Sequence, residues 1–138
     1  MLDNIFISLF SGLIGLLIGN RIKIESEAAA RRRTFRDFIA ILNEDFALEW
    51  KRAEMFNAND FENWDMLASH YASVPKVRAE AIKIREDIYW WKRPAFNKAC
   101  IAYAGFGAEV NFETNHAKFS RIRSESEALL NSLIKYAY

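Results

Sequence analysis

The sequence predicts an all-α fold, with a single-pass transmembrane helix at the N-terminal end followed by a small cytoplasmic helical bundle of about four helices. Three observations support this fold: one uncharged apolar run lies near the first residue, apolar residues recur at helical spacing after it, and the 138 residues include only five Gly and two Pro. This length holds one domain of ordinary size. We divide the chain into a transmembrane anchor (1–21), a basic juxtamembrane segment (22–36) and the bundle (37–138).

The anchor is defined by residues 5–19, whose sequence IFISLFSGLIGLLIG contains no charge. A hydrocarbon core of about 30 Å requires about 20 helical residues, so the run is short, and Asn4, Asn20 and Arg21 are expected to lie at the head groups. A cleaved signal peptide would need basic residues before the run, and an interfacial helix would need a charged face. The main alternative is a core helix of a soluble protein.

The charges on the two sides of the anchor predict its orientation. Six basic residues lie between positions 21 and 36 against two acidic ones, whereas the N-terminal flank has no Lys or Arg. The positive-inside rule therefore places the N-terminus outside and residues 21–138 in the cytoplasm. We interpret the basic residues as topology determinants that contact anionic lipid; they are Arg21, Lys23, Arg31, Arg32, Arg33 and Arg36.

Small residues line one face of the anchor. Ser11, Gly15 and Gly19 recur at intervals of four residues, and such a face lets two helices approach closely in a membrane. We expect self-association through this face or contact with another membrane protein. Contact with lipid alone is the simpler alternative.

Three short segments carry a resemblance to known sequences: SGLIG (11–15), GNR (19–21) and RRRTF (31–35). In this order they resemble a loose group of small, uncharacterised single-pass bacterial membrane proteins. The resemblance covers about the first quarter of the chain. It implies an anchor in the bacterial inner membrane and no activity.

Apolar spacing predicts the first two helices of the bundle. A helix over 28–56, able to continue directly from the anchor, has its apolar face at Phe35, Phe38, Ile39, Leu42 and Phe46. Residues 57–60 predict a turn, with Asp60 as the N-cap of the next helix. That helix is expected to end before Pro75, and its apolar side carries Phe61, Trp64, Leu67, Ala68 and Tyr71.

Two further helices complete the predicted bundle. The third starts near Pro75, breaks or kinks at Pro94 and stops at Gly105; its face carries Val77, Ala81, Ile84, Ile88 and Trp91, then Phe96, Ala99, Cys100 and Tyr103. The last helix starts near Thr114 or, if a capping box at Ser124 forms, at Ser124. Its apolar face carries Phe119, Ile122, Leu129, Leu130, Leu133 and Ile134.

Charge is unevenly distributed along the bundle. Residues 37–65 contain eight acidic and two basic residues, whereas 76–98 contain seven basic and three acidic ones. We expect these segments to lie antiparallel and to attract each other, each exposed pair contributing about 0–1 kcal/mol. An acidic partner or nucleic acid on the basic segment is the alternative.

The sequence contains little that predicts catalysis. Glu113 and His116 have the Glu-x-x-His spacing of di-iron proteins, but the second copy of that motif is missing. Cys100 lies on an apolar face, as a buried thiol does. The cluster Glu44, Asp45 and Glu49 is interpreted as the solvated face of a helix. We therefore expect no enzyme activity, no cofactor and no metal ion, and the net charge of +1 excludes a protein that coats polyanions.

Four large consecutive residues, 89–92, cannot all face the core of a helix, so at least one, Trp90 or Tyr89, is expected to be exposed. The candidate contact surface comprises Tyr89, Trp90, Trp91 and Arg93.

Three functional hypotheses follow from these patterns. The leading one is a membrane-anchored binding or scaffolding module that self-associates, with membrane lipid and a second copy or another membrane protein as partners. The first alternative is a membrane-acting effector, of the phage or defence type, that oligomerises through its anchor. The second is a nucleic-acid-binding protein tethered to the membrane, which the charge balance does not favour.

Overall fold

The computed structural model describes residues 2–56, 61–106 and 116–138, with side chains for all of these except 53–67 and 116–122. Four α-helices make up these ranges: α1 (Leu2–Phe56), α2 (Phe61–Ile84), α3 (Arg93–Gly105) and α4 (His116–Tyr136). A 3₁₀ turn, Arg85–Asp87, follows α2. Every regular element in the described ranges is helical, which confirms the predicted all-α class. The predicted turn at 57–60 and the Glu113 position lie outside the described residues.

The first helix is continuous through the predicted boundary between anchor and bundle. It is 55 residues long, which corresponds to about 80 Å at 1.5 Å per residue. Every side chain from Leu2 to Glu27 is exposed, and the first buried one is Ala28. The N-terminal half of α1 therefore projects from the bundle, and the C-terminal half is part of it.

The core of the bundle combines one face from each of the four helices. The buried apolar side chains belong to α1, α2, α3, α4 and the residue after the 3₁₀ turn, and they are Phe35, Ile39, Phe46, Val77, Ala81, Ile84, Ile88, Phe96, Ala99, Tyr103, Leu130, Leu133 and Ala137. Phe38, Leu42, Cys100, Leu129 and Ile134 pack beside this core. The apolar faces predicted for α1 and for residues 77–88 are confirmed.

The prediction that a helix ends before Pro75 is wrong, because Pro75 lies inside α2. A proline within a helix cannot bond the carbonyl four residues earlier, here that of Tyr71, and costs about 3 kcal/mol. Pro75 and Tyr71 are both exposed, so water can bond this carbonyl. Buried residues on both sides of Pro75, Ser73 and Val77, hold the helix against the core.

Continuity through Pro75 also changes the buried face of the first part of α2. Ala68 and Tyr71, predicted to face the core, are exposed, whereas His70 and Ser73 are buried. These two positions lie seven and four residues before Val77, so one continuous helix places all three on the same face. The side chains of the other predicted residues in this helix, Phe61, Trp64 and Leu67, lie outside the described set.

The helix predicted to reach Trp91 ends earlier, at Ile84. The 3₁₀ turn follows, and Ile88 is extended, with φ −72° and ψ 133°. Pro94 does not break a helix but lies in the first turn of α3, where its missing N–H would have no helical partner in any case. Trp91 is consequently exposed instead of buried.

The last helix is continuous from His116 to Tyr136, so the alternative start at Ser124 is wrong. Ser126 is buried and Ser124 is exposed, because the buried face of α4 passes through Ser126, Leu130 and Leu133. The predicted start near Thr114 lies outside the described residues.

The helices α1 and α2 run antiparallel, since the segment after α2 returns to Arg31, which lies near the middle of α1 and pairs with Asp87. This ion pair joins the segment 76–98 to a residue outside 37–65, so the attraction expected between these two segments stays a prediction.

Candidate functional site

The most unusual surface of this protein is the N-terminal half of α1. Residues 2–27 form seven helical turns in which every side chain is exposed, including Phe6, Phe10, Leu13 and Leu17. This helix is long and apolar enough to cross a membrane, and no residue of its apolar stretch is buried. A core helix of a soluble protein would be covered by its own chain, and the described part of this chain provides no such cover.

The face with small residues is open. A Cβ atom added to Gly15 or Gly19 would meet no atom within 4 Å, and Ser11 is exposed. These residues therefore have no packing role within the described chain. Larger side chains fit there without strain in a single copy, which makes substitution a direct test of contact between copies.

A polar junction lies where α1 enters the bundle. Arg31 binds both carboxylate oxygens of Asp87, at 2.7 Å and 2.8 Å. Arg32 is only 5% exposed and donates to the Asp87 carbonyl at 2.7 Å. Its guanidinium also lies 4.6 Å from the centre of the Tyr89 ring. The sequence predicted lipid contact for these two arginines, and the structure places both in contacts with the segment after α2.

Tyr89 fixes this segment at a defined level along α1. Its hydroxyl donates to Glu25 at 2.9 Å and accepts from Arg32 at 3.3 Å. Arg32 also lies 3.8 Å from the Glu25 carboxylate. We call this set, Glu25, Arg31, Arg32, Asp87 and Tyr89, the junction.

The two tryptophans lie beside the junction, in the turn between Ile88 and α3. Trp91 stacks on Tyr89 with ring centroids 4.7 Å apart, and Trp90 meets Trp91 edge to face at 5.8 Å. Trp90 is 74% exposed and Trp91 57%. Exposure of Trp90 confirms that these residues cannot all face the core, although they lie in a turn and not in a helix.

Arg93, the fourth residue of the candidate contact surface, stabilises this turn. Its side chain is half-buried and donates to the carbonyls of Ile88 and Glu86, each at 2.9 Å. Arg93 therefore holds the backbone that presents Trp90 and Trp91.

The other four residues predicted to contact lipid divide into two groups. Arg36 donates to the carbonyl of Ala137 at 2.9 Å, and its guanidinium lies 4.0 Å from the centre of the Tyr138 ring. Arg21, Lys23 and Arg33 are exposed. Lipid contact for these three residues stays a prediction.

An apolar groove of about 360 Å³ lies between α2 and α3. Val77, Ala81 and Phe96 form part of its wall, and Arg78 and Arg85 lie along it. Cys100 also lines the groove, and burial raises the pKa of its thiol to about 11, so the thiol is protonated at neutral pH. The groove combines apolar surface with two cations and contains no activated nucleophile among its lining residues.

A buried polar cluster ties α2 to α3. The Ser73 hydroxyl and the Tyr103 hydroxyl are 2.6 Å apart, and His70 Nε2 lies 2.9 Å from the Tyr103 carbonyl. Burial lowers the pKa of His70. His70 Nδ1 is buried without a partner in the described structure. This cluster packs beneath Phe106, whose ring centroid is 4.8 Å from that of His70, so we interpret it as structural.

The sequence does not predict the junction as a unit. A signal for it was available, because Ala28, Arg32, Phe35 and Ile39 follow the same helical spacing, and this places Arg32 on the buried face of α1. Asp87 and Tyr89 carried no comparable signal. Among the described residues no group of three His, Cys, Asp or Glu side chains could hold a metal ion. Comparison of the chain with protein-family models, curated proteins and solved structures finds no match.

Proposed function

We propose that this protein is a single-pass protein of the bacterial inner membrane whose helical bundle serves as a binding or scaffolding module in the cytoplasm. The observation that carries this proposal is the N-terminal half of α1, in which residues 2–27 are exposed on all sides. Its apolar side chains face water unless a membrane covers them. Burial of apolar surface contributes about 25 cal/mol per Å², which favours insertion.

Continuity of α1 supports a role for the anchor in orienting the bundle relative to the membrane. The helix does not break between Arg21 and Ala28, and the junction fixes it to the rest of the bundle. A bundle joined in this way keeps a defined orientation to the bilayer. That property suits a module that presents a binding surface at a fixed position near the membrane.

The N-terminus-out topology is proposed from the charge asymmetry of the flanks. Arg21, Lys23 and Arg33 are exposed basic residues on the bundle side of the apolar run, and the positive-inside rule retains such residues in the cytoplasm. Arg31, Arg32 and Arg36 contribute to the same bias during insertion, before the bundle contacts form.

The experiment is membrane extraction combined with a topology reporter in bacteria. We expect the full chain to remain in membranes after an alkaline carbonate wash. Fused to the C-terminus, a reporter that works only in the cytoplasm should be active, and one that works only outside the cytoplasm should be inactive. Release of the chain by carbonate would contradict the anchor, whereas the opposite result with the two reporters would contradict the topology alone.

Self-association through Ser11, Gly15 and Gly19 is the second part of the proposal. In a membrane two-hybrid assay, the double variant G15L/G19L should associate less than the parent chain, because the helices can no longer approach closely. The matched control L13A/L17A reduces bulk on other positions of the span and should retain association. Equal signals from the parent chain and G15L/G19L would remove self-association from the proposal.

A further inference from the structure

We propose that Trp90 and Trp91 form a membrane-interface anchor, which enters the head-group zone of the bilayer that α1 spans and holds the bundle against it. This inference rests on the proposed function, because it requires α1 to cross a membrane. It adds a lipid-binding surface that belongs to the bundle and not to the transmembrane helix.

The level of the two tryptophans follows from the contact between Tyr89 and Glu25. The Tyr89 hydroxyl lies 2.9 Å from Glu25 Oε1, so the turn that carries Trp90 and Trp91 lies beside Glu25. The uncharged run ends at Gly19, so Asn20 and Arg21 begin the head-group zone on the bundle side. Glu25 lies six residues beyond Gly19, about 9 Å along the axis. Because the head-group zone on each side of the core is about 5–7 Å thick, the turn lies at the outer edge of this zone, within reach of an indole side chain.

The side chains at this level have the chemistry of the membrane interface. Indole and phenol rings combine an apolar body with a polar edge, and Trp and Tyr are enriched where the bilayer meets water. Trp90 and Trp91 are 74% and 57% exposed. Ile22 and Ile24 of α1 are also exposed and extend the apolar surface of the span towards the turn.

The shortness of the anchor brings the head groups towards this turn. The uncharged run of residues 5–19 is about 22 Å long at 1.5 Å per residue, whereas the hydrocarbon core is about 30 Å thick. Thinning of the bilayer would move the head groups away from the turn, whereas a core that keeps its thickness extends past Gly19 towards Ile22 and Ile24, where interfacial side chains reduce the cost of the mismatch. Ile22 and Ile24 extend the span, and the two tryptophans supply the interfacial side chains on a neighbouring segment.

The turn is rigid before it meets lipid. Arg31 and Arg32 bind Asp87 from one side, and Arg93 binds the carbonyls of Glu86 and Ile88 from the other. Binding to the interface therefore requires little ordering of the chain, which would otherwise reduce the affinity.

The test measures the depth of single tryptophans in the full chain, reconstituted in vesicles of phosphatidylcholine and phosphatidylglycerol. The variant W50F/W64F/W91F keeps only Trp90, and W50F/W64F/W90F keeps only Trp91. The matched control W64F/W90F/W91F keeps only Trp50, which lies 25 residues beyond Glu25 on α1, about 40 Å further along the axis. Each variant is examined with lipids brominated near the head group, with lipids brominated deep in the chain, and with aqueous iodide.

We expect the emission of Trp90 and Trp91 to shift to shorter wavelength on reconstitution. Lipids brominated near the head group should quench both residues more strongly than deeply brominated lipids, and Trp50 should respond to neither. Two results would overturn the inference: quenching of Trp90 and Trp91 by iodide alone, which means that they face water, or protection from iodide and from both lipids, which means that protein covers them.

Flotation of the same vesicles separates this inference from the proposed function. If the chain fails to float with the vesicles, α1 does not insert and both proposals fail. If it floats and the tryptophans face water or protein, the anchor stands and the interfacial role of Trp90 and Trp91 fails. Circular dichroism of each variant establishes that the helices are retained.

Discussion

The two halves of α1 share one helical backbone and meet different environments. In residues 2–27 no side chain is buried, and within them residues 5–19 carry no charge on any side of the helix. In the half that begins at Ala28, the buried residues Phe35, Ile39 and Phe46 lie on one face, and most of the charged residues lie on the exposed faces. A helix that is apolar all round requires a membrane or a large core, whereas an amphipathic helix requires one partner surface. The distribution of apolar residues, not the backbone, therefore separates the projecting half of α1 from the half that belongs to the bundle.

The largest effect is expected from a charge placed within the first half. An arginine at the centre of a membrane helix costs about 2.5–3.5 kcal/mol, against about 3–6 kcal/mol gained by ten Leu, Ile and Phe residues. I14R should therefore move much of the chain out of carbonate-washed membranes. The matched control is I41R, since Ile41 is exposed on the bundle half, and it should leave the membrane fraction unchanged. Equal loss in both variants would mean that the halves do not differ as described.

A core substitution in the second half is expected to have the next largest effect. Phe35 is 1% exposed and contacts the ring of Phe96 edge to face at 5.7 Å. F35A should lower the free energy of unfolding of the bundle by about 3–5 kcal/mol, measured by denaturant titration in mild detergent. F10A, on the exposed first half, is the control and should leave this unfolding free energy unchanged.

The junction is tested by replacing its buried arginine. R32M removes the hydrogen bonds to the Asp87 carbonyl and the Tyr89 hydroxyl, and hydrogen bonds from a charged group contribute about 1.5–3 kcal/mol to stability. The variant should lower the free energy of unfolding by about 2–3 kcal/mol. R33M, at an exposed position, should change it by less than about 0.5 kcal/mol. Equal effects would mean that the junction does not stabilise the bundle.

The smallest effect concerns pH and belongs to the bundle half alone. Burial lowers the pKa of His70 in the folded chain, so the unfolded chain, with an ordinary pKa of about 6.5, takes up a proton first as pH falls. The contribution of neutral His70 is fully present above about pH 6.5 and is lost below it. Denaturant titration of the parent chain and of H70Q should show a weaker fall in stability with acid in H70Q. The same slope in both would exclude His70 as the source.

Parts of the fold were predictable because they depend on neighbours in sequence. The apolar run of 5–19 and the spacing of Phe35, Ile39 and Phe46 each lie on one helix, and periodicity records which face of a helix is covered. The predictions that Pro75 and Pro94 interrupt helices are wrong for a related reason. Pro75 was expected to end a helix and Pro94 to break one, but the local preference of a proline is weaker than packing on both sides of it, and at the first turn of a helix it is favourable.

The sequence by itself determined the helical class, the apolar run of the first helix and the core-facing sides of residues 35–46 and 77–88, since these are properties of short stretches of chain. The tertiary structure alone decided that α1 is continuous into the bundle, that the chain turns after Ile84, and that Arg32 is buried beside Tyr89. The physical reason is separation along the chain: Arg31 meets Asp87 across 56 residues, and no local pattern records which distant residue completes a hydrogen bond or covers a ring.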